Sequence, residues 1–170
     1  MVSNWNSPDL SGRLKTQTKV CYSSGIEEPE MNLKFKALTK SIWVFHFASA
    51  SCNNCDIEIL DALTPKFDLE RFGILLIGSI RHADVMLVTG AVSHKGAVRL
   101  KRLYEQTPKP CLVVAVGCCA CSMSIFRDSY NMAGPVDRLI PVHVYIPGCP
   151  PKPEAIIMGV VKLIKALKKG

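Results

Sequence analysis

The chain has 170 residues, of which 48% are hydrophobic and 21% are charged, an ordinary balance for one globular domain. Every apolar stretch is shorter than the ~18–20 residues that span a bilayer, and the polar N-terminus lacks the apolar core of a signal peptide. We therefore expect a soluble, intracellular protein. Eight cysteines in such a protein favour metal or redox chemistry over disulfides.

The formal net charge is +7 at pH 7, and much of the excess lies toward the two ends of the chain. A solvated surface is the simpler interpretation. The alternative is contact with an acidic partner subunit or with anionic lipid headgroups. Nucleic acid is not an expected partner, because basic and aromatic residues do not interleave in a binding motif. The basic residues are Arg13, Lys15, Lys19, Lys34, Lys36 and Lys40, and then Lys162, Lys165, Lys168 and Lys169.

Residues 1–38 carry no sustained hydrophobic period, and we interpret them as an arm that is extended or bound to a partner. An α/β domain is predicted over residues 39–170. It begins with a short aromatic and β-branched run over residues 42–48, which predicts a buried strand. Helical spacing of apolar residues then predicts a helix over residues 54–64, which Pro65 ends.

Strand and helix patterns alternate through the rest of the chain. Strands are predicted over residues 74–77, 85–89, 111–116 and 141–146, and helices over residues 93–107 and 153–167. The strand at 111–116 is so apolar that we expect it at the centre of a parallel sheet. The alternation predicts an α/β fold with a mostly parallel sheet.

Four cysteines lie where predicted strands meet loops. Cys52 and Cys55 form a C-x-x-C pair after the first strand, Cys119 follows the strand at 111–116, and Cys149 follows the last strand. Strand ends in an open α/β sheet converge on one crevice, where ligands bind. Four soft thiolates in that crevice suit either a zinc ion or an iron–sulfur cluster.

Other interpretations account for these cysteines less well. A thioredoxin-like redox pair would use Cys52 and Cys55 and leave Cys119 and Cys149 without a role. A zinc site usually includes a second closely spaced pair of ligands, whereas the other two candidates are far apart and single. The third position stays ambiguous on spacing alone, because other cysteines stand close to Cys119. The remaining cysteines are Cys118 and Cys121 beside it, and Cys111 and Cys21, which we interpret as small core residues.

Four motifs follow one another in a characteristic order. They are Cys52-x-x-Cys55-Asp56-Ile57-Glu58, then Arg81-His82-Ala83-Asp84 leading into Val88-Thr89-Gly90, then Gly117-x-Cys119, then Pro147-Gly148-Cys149-Pro150-Pro151-x-Pro153-Glu154. Over roughly residues 41–168 the chain thereby resembles the small subunit of energy-converting nickel–iron hydrogenases. The same family includes the equivalent subunit of respiratory complex I. The resemblance implies a flavodoxin-like sheet with helices on both faces, and one 4Fe-4S cluster held by Cys52, Cys55, Cys119 and Cys149.

The resemblance also implies a function. The chain would pass electrons to or from the catalytic large subunit of a membrane-bound hydrogenase-like or sulfur-reducing complex that couples redox chemistry to ion translocation. Its other partners would be a ferredoxin-like iron–sulfur subunit and membrane-arm subunits. It would lie peripherally on the cytoplasmic side of the cell membrane, as a subunit of an oxidoreductase with no complete active site of its own.

Single residues in these motifs carry two interpretations each. Glu58 is implied as a proton relay, and the alternative is a solvated glutamate that the helix dipole favours. Arg81 and His82 would lie at the partner interface or form a polar turn between strands. His46 and His143 stand in apolar strands, so we expect them in the core rather than among the ligands.

The chain departs from the hydrogenase pattern at four positions. Glycine is expected at Asn54, Met123 and Ser124, and proline is usual at Ile80. Glycine permits close approach and positive φ angles, so we expect these changes to reshape the loops around the cluster while leaving the thiolates in place. A relative that reduces sulfur or polysulfide is therefore a strong candidate.

Three alternatives remain open. One is the equivalent subunit of a complex I-like quinone oxidoreductase, although such relatives typically carry two adjacent cysteines at the first motif, not the separated pair found here. The second is a zinc-stabilised interaction module. The third is a flavin-binding carrier, which is weakened because no phosphate-binding Ser/Thr/Gly loop clearly follows the first strand.

Overall fold

A computed structural model describes residues 21–22 and 41–169 of the chain. Its strands are β1 (Cys21–Tyr22), β2 (Ile42–Ala50), β3 (Ile74–Ile77), β4 (Val85–Gly90), β5 (Val92–Ser93), β6 (Leu112–Val116), β7 (Met132–Gly134) and β8 (Val144–Ile146). Its α-helices are α1 (Asn54–Leu63), α2 (His94–Gln106), α3 (Cys118–Ser122) and α4 (Pro153–Lys169). Short 3-10 turns lie at Leu69–Phe72, Ile80–His82, Ser124–Phe126 and Val136–Arg138.

The main sheet has the strand order β1-β8-β6-β4-β2-β3. β3, β2, β4, β6 and β8 are mutually parallel, and β1 pairs antiparallel with β8 at one edge. Numbered along the chain, the five parallel strands have the order 2-1-3-4-5, which is the flavodoxin-like arrangement. The prediction of a flavodoxin-like, mostly parallel sheet is confirmed, and its topological switch point lies between β2 and β4.

Apolar side chains cover both faces of this sheet. On one face, β-strand residues such as Val44 and Leu87 pack with Ile59 of α1 and Ile156 of α4. On the other face, Leu100 of α2 packs into a second cluster built on alternate residues of the same strands. β4 is buried along its whole length, as a strand covered on both faces must be. Burial of each large side chain in these clusters stabilises the fold by about 1.5–3 kcal/mol.

Most predicted elements agree closely with the structure, and the largest difference lies before β8. That strand was predicted to begin at residue 141, but it begins at Val144. Pro141 has no N–H to donate to a strand ladder. The His143 N–H donates to the Val113 carbonyl at 2.9 Å, but the Val113 N–H donates to the imidazole Nδ1 of His143 at 2.9 Å, so a side chain replaces one backbone acceptor at that point. His143 is partly buried beside β6, not within either core cluster, and burial lowers its pKa.

Two features of the fold were not predicted. β5 and β7 form a small antiparallel sheet, and two residues of the predicted arm form β1. The rest of residues 1–38 lies outside the described residues, as does the Cys21 side chain. Within the described part of the chain, no helix is long and apolar enough to span a membrane.

Candidate metal centre

The four candidate cysteines lie at the carboxyl-terminal edge of the parallel sheet. Cys52 is in the loop after β2, Cys55 is in the first turn of α1, Cys119 is in α3 directly after β6, and Cys149 is in the loop after β8. Cys52 and Cys149 are exposed, Cys119 is partly exposed and Cys55 is buried. One thiol therefore forms the floor of the candidate site, and the others lie nearer its mouth.

The electrostatics of these thiols shows that they are close to one another. Burial raises the pKa of Cys55 to about 12, with further contributions from Cys52, Cys119, Asp56 and Cys149 in decreasing order. Burial also raises the pKa of Cys119, followed by the effects of Cys149, Cys52 and its neighbour Cys118 in decreasing order. Cys52, Cys119 and Cys149 thus all lie close enough to Cys55 to raise its pKa. Four thiolates in this space would repel one another, so their joint ionisation requires a positively charged group between them.

The structure separates the three neighbouring cysteines that sequence spacing left ambiguous. Cys119 raises the pKa of Cys55, whereas Cys118 is not among the groups acting on Cys55. Cys121 points back toward the sheet, with its Sγ 3.7 Å from the Ala115 carbonyl oxygen. Of the three, Cys119 is the residue that shares its surroundings with the other candidate ligands.

Left-handed or glycine-only backbone occurs in each segment that carries a candidate ligand. Asn53 has φ 70°, Gly117 has φ 91° and Gly148 has φ 159°. At Gly117 the absence of a side chain matters directly, because a Cβ atom there would lie 2.6 Å from the Sγ of Cys55. Gly117, two residues before Cys119, has no side chain and therefore leaves space for the Cys55 sulfur.

Backbone hydrogen bonds join the loops of the third and fourth candidate ligands. The N–H of Gly117 donates to the Ile146 carbonyl at 2.8 Å, and the N–H of Cys118 donates to the Gly148 carbonyl at 2.8 Å. These bonds hold the start of α3 against the loop that presents Cys149. The Cys149–Pro150 peptide bond in that loop is cis.

The positions where glycine was expected behave differently from one another. Met123 and Ser124 have φ 64° and 45°, so this chain adopts glycine-type backbone with two residues that carry side chains. Such a conformation costs roughly 1–2 kcal/mol per residue. Asn54 is an ordinary helical residue, and the left-handed residue in the C-x-x-C segment is its neighbour Asn53. Ile80, at the fourth departure, is buried within a 3-10 turn.

The other residues named in the motifs lie on α1 and in the 3-10 turn before β4. Glu58 lies partly exposed on α1, one turn beyond Cys55, and its assignment as a proton relay stays a prediction. Arg81 is exposed, and His82 packs edge-on against Trp43 with ring centroids 6.2 Å apart.

His46 is not an ordinary core residue, contrary to expectation. Its imidazole Nε2 lies 2.9 Å from Asp56 Oδ1 and 3.0 Å from Thr89 Oγ1. The signal in the sequence was a polar residue on a strand of otherwise apolar and aromatic residues, together with an aspartate directly after Cys55. Spacing alone does not join residues 33 to 43 positions apart.

Among the described residues, no three His, Cys, Asp or Glu side chains are arranged to hold a single metal ion. A closed zinc site needs its four ligands about 2.0–2.3 Å from one ion. Thiolates that bind a 4Fe-4S cluster attach to different irons and stand farther apart. The four cysteines at one edge of the sheet provide the Cys₄ donor set that either a zinc ion or a 4Fe-4S cluster takes.

Fold and site together define an α/β protein with a flavodoxin-like sheet and a cysteine-lined crevice at its strand ends. The protein family described as "NADH ubiquinone oxidoreductase, 20 Kd subunit" matches residues 52–163, and the chain belongs to this family. It is 54% identical over 134 residues to a probable membrane-bound hydrogenase subunit, mbhJ, of Pyrococcus furiosus, covering 79% of this chain and 80% of that protein.

Two further relatives show the breadth of the family. The chain is 47% identical to an NADH-quinone oxidoreductase subunit of Rubrobacter xylanophilus, covering 78% of this chain but only 52% of that longer protein. A chain in the solved structure of the membrane-bound sulfane sulfur reductase, an archaeal respiratory membrane complex, is 40% identical with a TM-score of 0.72, covering 81% of this chain and 76% of that one. The homologues are thus subunits of oxidoreductase complexes, and the family resemblance read from the motifs is confirmed.

Proposed function

We propose that this chain carries one 4Fe-4S cluster on Cys52, Cys55, Cys119 and Cys149, and that it transfers electrons within a membrane-bound hydrogenase-like or sulfur-reducing complex. The convergence of four cysteines from separate loops at one edge of the sheet carries the proposal. When bound, a cluster supplies a one-electron relay whose potential depends on burial and on hydrogen bonds to its sulfurs.

The candidate cysteines would hold different sides of the cluster. Cys55 is 8% exposed and would hold the buried side of the group, while Cys52 and Cys149 would close the solvent side. The glycine at 117 lets the Cys55 sulfur approach the start of α3. Because the pKa of Cys55 is raised to about 12, its proton leaves near neutral pH only when a cation compensates the charge.

The relatives support one branch of the family over the other. Of the relatives described above, the membrane-bound hydrogenase subunit has the highest sequence identity to this chain. The separated C-x-x-C pair agrees with the hydrogenase branch of the family. A complex I-like quinone oxidoreductase is the alternative. The zinc-stabilised module is less well supported, because the relatives are subunits of membrane-bound oxidoreductase complexes.

The proposed partners are a catalytic large subunit, a ferredoxin-like iron–sulfur subunit and membrane-arm subunits, through which the chain would attach to the cytoplasmic side of the membrane. Exposed apolar side chains close to the cysteine loops support burial by another chain. Ile57 and Leu60 of α1 are 59% and 57% exposed, and Ile125, in the turn after α3, is 86% exposed.

Metal analysis of the anaerobically purified full chain tests the cluster. About four irons and four sulfides per chain, without zinc or flavin, are expected. Cys119→Ser should lose or convert the cluster, whereas Cys118→Ser, its immediate neighbour, should retain it. Zinc in place of iron, or a Cys118→Ser variant that loses the cluster while Cys119→Ser keeps it, would contradict the assignment.

Co-purification with the catalytic large subunit tests the partner. Leu60→Asp on α1 should weaken the complex, because it places a charge in an apolar interface. Val98→Asp is the matched control, since Val98 is 53% exposed but lies on α2 on the opposite sheet face. Equal loss with both variants would remove the argument for an interface at the cysteine edge.

A further inference from the structure

Three polar side chains from different elements meet beneath the first turn of α1. The hydroxyl of Thr89 on β4 donates to Asp56 Oδ1 at 2.6 Å, and His46 Nε2 on β2 lies 2.9 Å from the same oxygen. A carboxylate oxygen only accepts, so Nε2 of His46 carries the proton in this contact. Because Thr89 uses its own proton toward Asp56, its oxygen, 3.0 Å from Nε2, is an acceptor for His46.

This network is well shielded from solvent. Thr89 is fully buried, and the side chains of His46 and Asp56 are 21% and 14% exposed. Loss of a partner would leave a buried hydroxyl unsatisfied, which is the costly case for a hydrogen bond. The three residues therefore hold one another in a single arrangement.

The network lies at the start of α1, where the N-cap residue provides no side-chain hydrogen bond. Asn53, the N-cap of α1, makes no side-chain hydrogen bond to the helix and has a left-handed backbone. Asp56 is the third residue of α1, directly after Cys55, and it connects this turn to β2 and β4, the strands that flank the switch point. These hydrogen bonds connect the first turn of α1 to the sheet and stand in for the missing N-cap bond.

Cys55 has little room for movement at this place. Its Sγ occupies the space left by the missing side chain of Gly117 on the neighbouring segment. A shift or rotation of the helix start would move the sulfur against this segment or away from the other thiols. The orientation of the first turn of α1 thus determines whether Cys55 reaches the site.

We propose that Thr89 and His46, acting through Asp56, are positioning residues that hold the Cys55 sulfur in the geometry the candidate cluster needs. This inference rests on the proposed function for the identity of the group, although the positioning of the sulfur can be measured without it. None of the three residues is itself a ligand in this arrangement.

Substitutions at Thr89 test the proposal without altering any charge near Cys55. Thr89→Val keeps the shape and removes the hydroxyl, whereas Thr89→Ser keeps the hydroxyl and removes a methyl group. Thr64→Val is the matched control, because Thr64 makes its hydroxyl hydrogen bond at the far end of the same helix. All are made in the full chain, which is purified anaerobically and analysed before and after iron removal.

Two readouts are taken from each variant. The first is the rate of iron loss to a chelator, and the second is iodoacetamide labelling of the iron-free chain, read for Cys55 and Cys149 separately by peptide mass spectrometry. Thr89→Val should raise both the rate of iron loss and the Cys55 labelling rate about 10-fold, the change expected when a hydrogen bond to a charged group is lost. Thr89→Ser and Thr64→Val should stay within about 2-fold of the wild type, and Cys149 labelling should not change.

Each other outcome has a defined meaning. Wild-type labelling of Cys55 in Thr89→Val overturns the proposal, as does a Thr89→Ser variant that behaves like Thr89→Val, since packing would then explain the effect. A parallel rise at Cys55 and Cys149 also overturns it, because global loosening would be the cause. A wild-type chain that binds no iron contradicts the proposed function, while the Cys55 labelling pattern still decides the positioning role.

Discussion

Gly117→Ala is expected to damage both the stability of the chain and its capacity to bind a cluster. Gly117 has φ 91° and ψ 156°, a combination that is essentially restricted to glycine and costs of order 1–3 kcal/mol for other residues. The new Cβ would also lie 2.6 Å from Cys55 Sγ, so the sulfur would have to retreat to an ordinary contact of at least 3.4 Å. Overpacking of this kind adds about 1–3 kcal/mol.

Two other glycines separate these effects. Gly134→Ala introduces the same kind of backbone strain, at φ 135°, but its Cβ meets the flexible Arg138 side chain at 3.1 Å, away from the cysteines. Gly78→Ala is the baseline, because nothing lies within 4 Å of its Cβ position. Thermal unfolding should show losses for Gly117→Ala and Gly134→Ala of about 2–4 °C per kcal/mol, and little change for Gly78→Ala.

Iron content then distinguishes the two strained variants. Gly134→Ala should bind as much iron per folded chain as the wild type, whereas Gly117→Ala should bind less, because it displaces a ligand. Equal iron content in these two variants would refute the view that the empty space at Gly117 exists for the Cys55 sulfur. A Gly117→Ala variant as stable as Gly78→Ala would refute the strain argument.

Three other predictions concern separate features. Ser124→Gly should raise the free energy of unfolding by about 1 kcal/mol by relieving positive-φ strain, and Ser122→Gly at the end of α3 should lower it by about 0.5–1 kcal/mol; chemical denaturation that gives both changes the same sign would contradict this reasoning. Burial, with a smaller effect of Asp84, raises the pKa of Cys111 to about 12, above its unfolded value. The stabilising contribution of the neutral thiol is thus intact below pH ~9 and is lost as pH rises to about 12. In denaturation of the iron-free chain, Cys111→Ala should therefore reduce the fall of the unfolding free energy with pH by up to ~1.4 kcal/mol per pH unit. Glu58→Gln should leave reduction of the cluster intact and lower turnover of a proton-coupled reaction ~10²–10⁴-fold, and turnover unchanged across pH would return Glu58 to the solvated surface.

Local pattern was sufficient for the parallel strands and for the edge at which the cysteines meet. A buried parallel strand must be apolar on both faces, so β4 and β6 are visible as continuous apolar runs. Alternation with helices then determines the direction of the strands, and direction determines that their carboxyl ends share one edge. For that reason Cys52, Cys119 and Cys149 could be predicted as neighbours although they are far apart in sequence.

Spacing could not decide which cysteine of 118, 119 and 121 faces the others. The answer depends on the short helix α3, which begins after the unusual backbone of Gly117 and turns Cys121 back toward Ala115. Such a turn follows from tertiary hydrogen bonds to the β8 loop, and these have no local signature. The same holds for Met123 and Ser124, whose positive φ angles contradict their local preferences.

Sequence alone therefore determined the fold class, the family and the cysteine edge, because these depend on hydrophobic periodicity and on motifs that are read along the chain. The tertiary structure decided the surroundings of the Cys55 sulfur: the space at Gly117 and, beneath the same turn of α1, the network of His46, Asp56 and Thr89. Both join residues from segments that only sheet pairing brings together. A hydrogen bond or a close contact depends on tenths of an ångström between such segments, and periodicity along the chain carries no information at that scale.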